Sequence, residues 1–197
     1  MQSRRRAKST GVRIVGGRWR GRRLVLPSGT EVRPTPDRVR ETLFNWLAPS
    51  LPGAQCLDLF AGTGVLGLEA LSRGAAGTTF VEHDAVLVRA LEDRISALAA
   101  EARVFHEDAL EFLASRPRRP FDVVFADPPY ATGLAPVLEK LAAAWLASGH
   151  LIYVERPVKR GGGSLGDGVA AVPGVQLLKQ GTAARVAFGL LRLADPE

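Results

Sequence analysis

From residue 54 onward the chain alternates short apolar, β-favouring runs with stretches of helical spacing, and this constrains the fold more than any other feature. A strand that returns to its sheet through a helix runs parallel to the strand before it, so a parallel sheet flanked by helices is expected. The apolar runs place strands near residues 55–60, 78–82, 102–106, 121–126 and 149–155. Helices are expected near 64–73, 84–99, 109–115 and 134–147, with Asp108 capping the third. A glycine-rich connection near 157–168 leads to a last strand pair, Val169 to Leu178 and Arg185 to Leu193.

The segment before this region has a different character. Residues 1–40 hold twelve Arg and Lys against Glu31 and Asp37, a net of +10, while the remainder is net −4. A basic arm on a mildly acidic domain points to a polyanionic partner gripped from one side. Residues 1–11 are polar and aperiodic and read as a flexible arm. Residues 12–53 read as an N-terminal docking extension of hairpin and helix, and 54–197 as the main domain. Two short strands, Arg13 to Val15 and Arg22 to Leu26, flank Gly16-Gly17-Arg18-Trp19-Arg20-Gly21. Arg18 and Arg20 beside glycines can approach a phosphate backbone, and Trp19 either stacks on a base or anchors the hairpin. Thr35 is the expected N-cap of a helix with Pro36 at N1 and Asp37 at the positive end of the dipole. Val39, Leu43, Trp46 and Leu47 share one face of that helix. Arg38 and Arg40 fall off that face and, with Arg33, are expected to meet anions.

Three function classes are disfavoured by composition and spacing. No run approaches 18 apolar residues, so no membrane span is expected. The single Cys56 rules out an internal disulfide and suits a reducing cytoplasm. His83, His106 and His150 form no pattern with cysteine or carboxylate at metal-ligand spacing, and no metal is expected.

Acidic residues stand at successive strand ends. Asp58 precedes the turn Phe60-Ala61-Gly62-Thr63-Gly64, whose glycines allow a ligand close to the backbone at a helix start. A carboxylate there accepts from an ammonium group and would repel a pyrophosphate. Glu82, followed by His83, lies twenty residues after Gly62, where an acid takes the hydroxyls of a ribose. Asp108 and Ala109 follow the third strand, where an adenine amine would lie. On the fourth strand, Phe121 to Ala126 is stopped by Asp127-Pro128-Pro129-Tyr130. Such a group suits an exocyclic amine on a planar base. The amine's lone pair is delocalised into the ring, and acceptors around it localise that pair. Asp127 and the Pro128 carbonyl supply acceptors, and Tyr130 offers a stacking face worth roughly 1–3 kcal/mol.

The Asp-Pro-Pro-Tyr stretch resembles the signature of amino-group methyltransferases that use S-adenosylmethionine. With Gly16 to Gly21, Arg33-Pro34-Thr35, Asp37 to Leu47, Leu57 to Gly62 and Leu68 to Ala75, the chain resembles the RsmD family of bacterial 16S rRNA guanine-N2 methyltransferases. The resemblance runs from about Arg13 to Leu193. It implies a class I S-adenosylmethionine-dependent methyltransferase: a Rossmann-like, mostly parallel seven-stranded sheet with an antiparallel last strand, plus a small N-terminal β-hairpin and helix extension. The implied cofactor is S-adenosyl-L-methionine. It is held by Asp58, Phe60, Ala61, Gly62, Gly64, Glu82, His83, Asp108 and Ala109, with Asp127, Pro128, Pro129 and Tyr130 as the catalytic set. The implied substrate is 16S rRNA in the small ribosomal subunit or its late assembly intermediate, met by a cytoplasmic monomer through Arg18, Trp19, Arg20, Arg33, Thr35, Arg38 and Arg40. Two rivals stand beside this reading. One is a DNA adenine-N6 methyltransferase, which the terminal motif permits. The other is a non-catalytic RNA-binding assembly factor, which the full set of acids disfavours.

Overall fold

In the computed structural model the described residues are 11–27, 29, 35–115, 119–129, 131–158, 164–169, 172–183 and 185–194. In chain order their strands and helices are β1 (Gly11–Arg13), β2 (Arg23–Val25), α1 (Asp37–Leu47), β3 (Gln55–Asp58), α2 (Val65–Ser72), β4 (Gly77–Glu82), α3 (Ala85–Leu98), β5 (Ala102–His106), α4 (Ala109–Phe112), β6 (Phe121–Ala126), α5 (Ala135–Ala142), β7 (Leu146–Pro157), α6 (Gly166–Val169), β8 (Val175–Ala183) and β9 (Val186–Leu193). β1 and β2 form an antiparallel hairpin. The other seven strands form one sheet in the order β5-β4-β3-β6-β7-β9-β8. β3, β4, β5, β6 and β7 are mutually parallel, and β9 is antiparallel to both neighbours.

Alternation along the central strands explains why the sheet is covered on both sides. Cys56, Val123, Phe125 and Tyr153 enter one buried cluster with α1, α2 and the hairpin residues Val12, Ile14, Trp19 and Leu24. Leu57, Val124, Ile152 and Val154 enter the other, with Phe112, Val137, Leu138 and Trp145. The period of two thus sends neighbouring residues to opposite cores. Every residue of α2 is buried, because the helix lies between the sheet and the N-terminal hairpin. Gly67 lets α2 sit that close: a Cβ there would lie 2.3 Å from the Phe80 ring.

Some boundaries differ from the sequence expectation. The strand expected from Val169 begins at Val175, since Pro173-Gly174 makes a turn after α6, with Gly174 at φ +73°. α5 ends at Ala142 and β7 starts at Leu146, before the expected residue 149. At α1, Pro36 holds the N-cap position and no side chain caps it, so Thr35 does not play the capping role. Among the described residues no helix is long and apolar enough to cross a membrane, and no cluster of His, Cys, Asp and Glu could hold a metal ion.

Candidate active site and nucleic-acid interface

The registers bring the strand-end acids to one edge of the sheet. Asp58 pairs with Phe80 and Phe125, and Glu82 pairs with His106. Glu82 therefore ends β4, and Asp108 and Asp127 lie just past the carboxyl ends of β5 and β6, around the turn that follows Asp58. In an open α/β sheet ligands bind in this crevice.

Gly62 (φ +52°) and Gly64 (φ +73°) take the left-handed backbone that the turn into α2 requires. Glu82 is buried, yet its carboxylate is held at both oxygens: Gly62 N–H donates to Oε2 at 2.7 Å and Asp84 N–H to Oε1 at 2.8 Å. His83 is exposed with Nδ1 3.2 Å from Glu82 Oε1. Asp58 is 3 % exposed and accepts from Gly67 N–H at 3.0 Å. Burial, first, pushes its carboxyl up to about 8; the Gly67 bond opposes this, and the Glu82 and Asp127 charges add to it. Asp108 does cap α4, accepting from Leu110 and Glu111 N–H through Oδ1, and is exposed. Phe60 is half-buried, and Ala61 and Ala109 are buried beside these turns. The buried Cys56 thiol is pushed up to about 12, chiefly by desolvation, and is an inert core group.

Asp127 is exposed where β6 ends. Desolvation by the protein behind it, then the Glu155 carboxylate, push it up to about 7. Pro129 closes the next turn by accepting from Thr132 and Gly133 N–H, whereas the Pro128 carbonyl accepts no bond from the described residues. Among the described residues nothing donates to the Asp127 carboxylate or the Pro128 carbonyl, so both remain available as acceptors. Tyr130 and Arg33 lie outside the described residues.

Several partners were not legible as site residues. Glu155, at the end of the apolar run Leu151 to Val154, is 7 % exposed and neighbours Asp127. Its place as an acid directly after an apolar run is the same signal that marks Asp58 and Asp127. Arg94 donates to the Thr63 carbonyl in the glycine turn at 2.9 Å and also to the Val25 carbonyl of the hairpin. Glu69 and Ser72 of α2 bind the hairpin: Val15 N–H donates to Glu69, and Ser72 accepts from Trp19 N–H and donates to the Gly16 carbonyl.

Three of the residues expected on the RNA-facing side are turned inward. Trp19 is buried against α2, which favours the anchor over the stacking reading. Thr35 is buried and donates its hydroxyl to Glu155 Oε1 at 2.7 Å. Arg40 is fully buried, bound to Asp37 at 2.6 Å and Glu69 at 3.5 Å. Gly16-Gly17 approach protein here, not phosphate: a Cβ on Gly17 would lie 1.9 Å from the Ser72 carbonyl oxygen. Arg18, Arg20 and Arg38 are exposed as expected, joined by Arg13, Arg22 and Arg23. The Arg18 guanidinium lies 4.2 Å over the Trp19 ring.

Residues 12–167 match the family described as Conserved hypothetical protein 95. The chain is 51% identical over 153 residues to ribosomal RNA small subunit methyltransferase D of Escherichia coli, covering 76% of this chain and 77% of that protein. It belongs to the ribosomal RNA small subunit methyltransferase D family. The fold agrees with a solved methyltransferase structure: the putative methyltransferase yhhF from Escherichia coli superposes with a TM-score of 0.80 at 44% identity, over 93% of this chain and 98% of that one. The seven-stranded sheet with its antiparallel last strand is the methyltransferase fold. A more distant structure, the Thermus thermophilus 16S rRNA N2 G1207 methyltransferase RsmC in complex with AdoMet and guanosine, has a TM-score of 0.64 at 25% identity, over 94% of this chain and 50% of that one.

Proposed function

We propose that the protein transfers a methyl group from S-adenosyl-L-methionine to the exocyclic N2 amine of a guanine in 16S rRNA of the small ribosomal subunit, working as a cytoplasmic monomer. The observation that carries this reading is the available acceptor pair, Asp127 and the Pro128 carbonyl, beside a carboxylate-lined glycine turn in a chain of this family.

The residues suit the cofactor. A buried Glu82, pre-oriented by two backbone N–H groups, has lone pairs left for ribose hydroxyls. Asp58 offers a carboxylate to an ammonium group, and Asp108 keeps Oδ2 for an adenine amine while Oδ1 caps α4. The cofactor, when bound, supplies a methyl group activated by the adjacent sulfonium charge. The chain's own task is positioning. Asp127 and Pro128 accept the two amine hydrogens and turn the nitrogen lone pair toward the methyl. Methylation would leave the amine with a proton to lose, and Asp127, its carboxyl raised to about 7, is placed to take it. The base must leave its stack to reach this edge.

Residues 12–53 serve as the RNA-docking extension, with exposed Arg18, Arg20 and Arg38 on phosphates and with Arg33 and Tyr130 in the roles the motif gives them. The test is methyl transfer to small subunits, naked 16S rRNA and duplex DNA, with the methylated nucleoside identified by mass. N2-methylguanosine in rRNA is the expected product; N6-methyladenine in DNA, or binding without transfer, would replace the assignment.

A further inference from the structure

Glu155 is more than nine-tenths buried, and among the described residues only one of its two carboxylate oxygens accepts hydrogen bonds. Thr35 and Tyr153 hydroxyls both donate to Oε1, each at 2.7 Å. Oε2 accepts no hydrogen bond from the described residues. It is not sealed in either, since no fully buried side-chain oxygen or nitrogen among those residues lacks a partner. The register places it: Phe125 pairs with Tyr153 and Ala126 with Val154, so Asp127, just past the end of β6, comes level with Glu155 inside β7. Residues so paired in a parallel sheet point to the same face. Two acceptors therefore stand together, and the inner one is held at Oε1 with no donor at Oε2 among the described residues.

We propose that Glu155 selects the base, its Oε2 accepting the ring N1–H that lies beside the N2 amine of guanine. This rests on the amine-methylation reading above and adds the reason for guanine. Guanine presents two adjacent donors, the ring N–H and the amine, which match Glu155 and Asp127. Adenine presents its amine beside a bare ring nitrogen, an acceptor that would face a carboxylate. For this discrimination Glu155 has to be ionised; burial, the largest effect, raises its carboxyl, and the two hydroxyl donors oppose that rise. The Thr35 bond also ties the reader of the base to the segment that leads from the hairpin into α1.

The experiment uses the full chain and small-subunit particles rebuilt on ligated 16S rRNA. The methylated position carries guanine, 6-thioguanine, which keeps the ring N–H, or 2-aminopurine, which keeps the amine but has a bare ring nitrogen. For the parent protein kcat/KM should be similar for the first two and about 10- to 100-fold lower for 2-aminopurine, the range for losing a hydrogen bond to a charged group. Glu155→Gln should lose that preference, because its amide N–H can donate to the bare nitrogen. Its cofactor affinity by calorimetry should stay unchanged. Equal rates on guanine and 2-aminopurine by the parent would overturn the proposal, and this arm stands even if the variant fails to fold. A folded variant with the parent's ratio would overturn it too. A parent that leaves guanine N2 unmethylated on every particle overturns the proposed function and this inference with it, a result distinct from equal use of both bases.

Discussion

Arg40 of α1 and Glu69 of α2 form an ion pair with both side chains completely buried, 3.5 Å apart. Glu69 is the hub: it also binds Arg73 at 2.9 Å and the Val15 N–H of the hairpin at 2.8 Å. Removing one partner of a buried pair strands the other charge in a low-dielectric interior. Arg40→Ala should therefore lower unfolding stability by about 3–5 kcal/mol, read from denaturant melts. The folded fraction should keep the parent's RNA affinity and salt slope, because Arg40 does not reach the surface. A stable Arg40→Ala with a flattened salt slope would make it a phosphate contact instead.

The same pair shows where sequence reading stops. Helical spacing identifies Val39, Leu43 and Leu47 as inward, and all three are buried. It also treats Arg40 as outward, because a charge is expected on the wet side unless a partner is known. The partner is 29 residues away, on a helix buried on all sides only because the hairpin covers it. The glycine loop was misleading for a related reason. Gly16-Gly17 do permit close approach, but sequence alone does not say to what, and the neighbour is the end of α2. By contrast, the acids at strand ends were legible, since period-two runs followed by turn residues fix where a strand stops. Asp58, Glu82, Asp108 and Asp127 lie at the edge the pattern indicated, and the sheet's parallel core follows from alternation.

Asp58 should make cofactor binding release a proton. In the free protein its carboxyl, raised to about 8 from 3.8, is mostly neutral at pH 7, and an ammonium beside it favours the ionised form. The sign follows: affinity should rise as the pH climbs from 6 toward 8, with close to one proton released per cofactor at pH 7. Calorimetry in two buffers of different ionisation enthalpy measures this directly. Asp58→Asn should bind more weakly without the proton release. A parent that releases no proton would remove Asp58 from the ammonium site.

Glu82→Ala should weaken cofactor binding by roughly 1–3 kcal/mol, the range for hydrogen bonds to a charged acceptor. The Gly62 and Asp84 N–H groups would also lose the acceptor that shapes the turn. An unchanged calorimetric affinity would take Glu82 out of the site.

Asp127 should impose an acid limb on turnover. Only its ionised form accepts, and its carboxyl is raised to about 7. Single-turnover rates should fall about tenfold per pH unit well below 7 and level off above it. Asp127→Ala should retain the fold and cofactor affinity, with turnover down by orders of magnitude. Asp127→Asn keeps a carbonyl acceptor, so it should retain residual activity with the limb flattened. A limb that survives in Asp127→Asn would assign the titration to another group.

The grip on RNA should come from the exposed arginines of the hairpin and the first turn of α1. Arg18, Arg20 and Arg38 are exposed, and the hairpin bearing the first two is fixed to α2 through Trp19, Ser72 and Glu69. A cation on a fixed scaffold loses less freedom on binding than one on a free chain. Neutralising Arg18 and Arg38 together should weaken binding to all RNA sequences and lower the salt slope by about 0.7–0.9 for each lost contact. Cofactor affinity should not change, since neither residue touches the glycine turn. Gly17→Ala gives an independent check. Its Cβ would collide with the Ser72 carbonyl, so the hairpin should shift on α2 and RNA affinity should fall with every arginine still present. RNA affinity measured against salt for the double variant, Gly17→Ala and a chain lacking residues 1–10 separates the possibilities. If the deletion abolished binding while the two hairpin and helix variants kept the parent's slope, the arm would be the docking element and the fixed arginines would not.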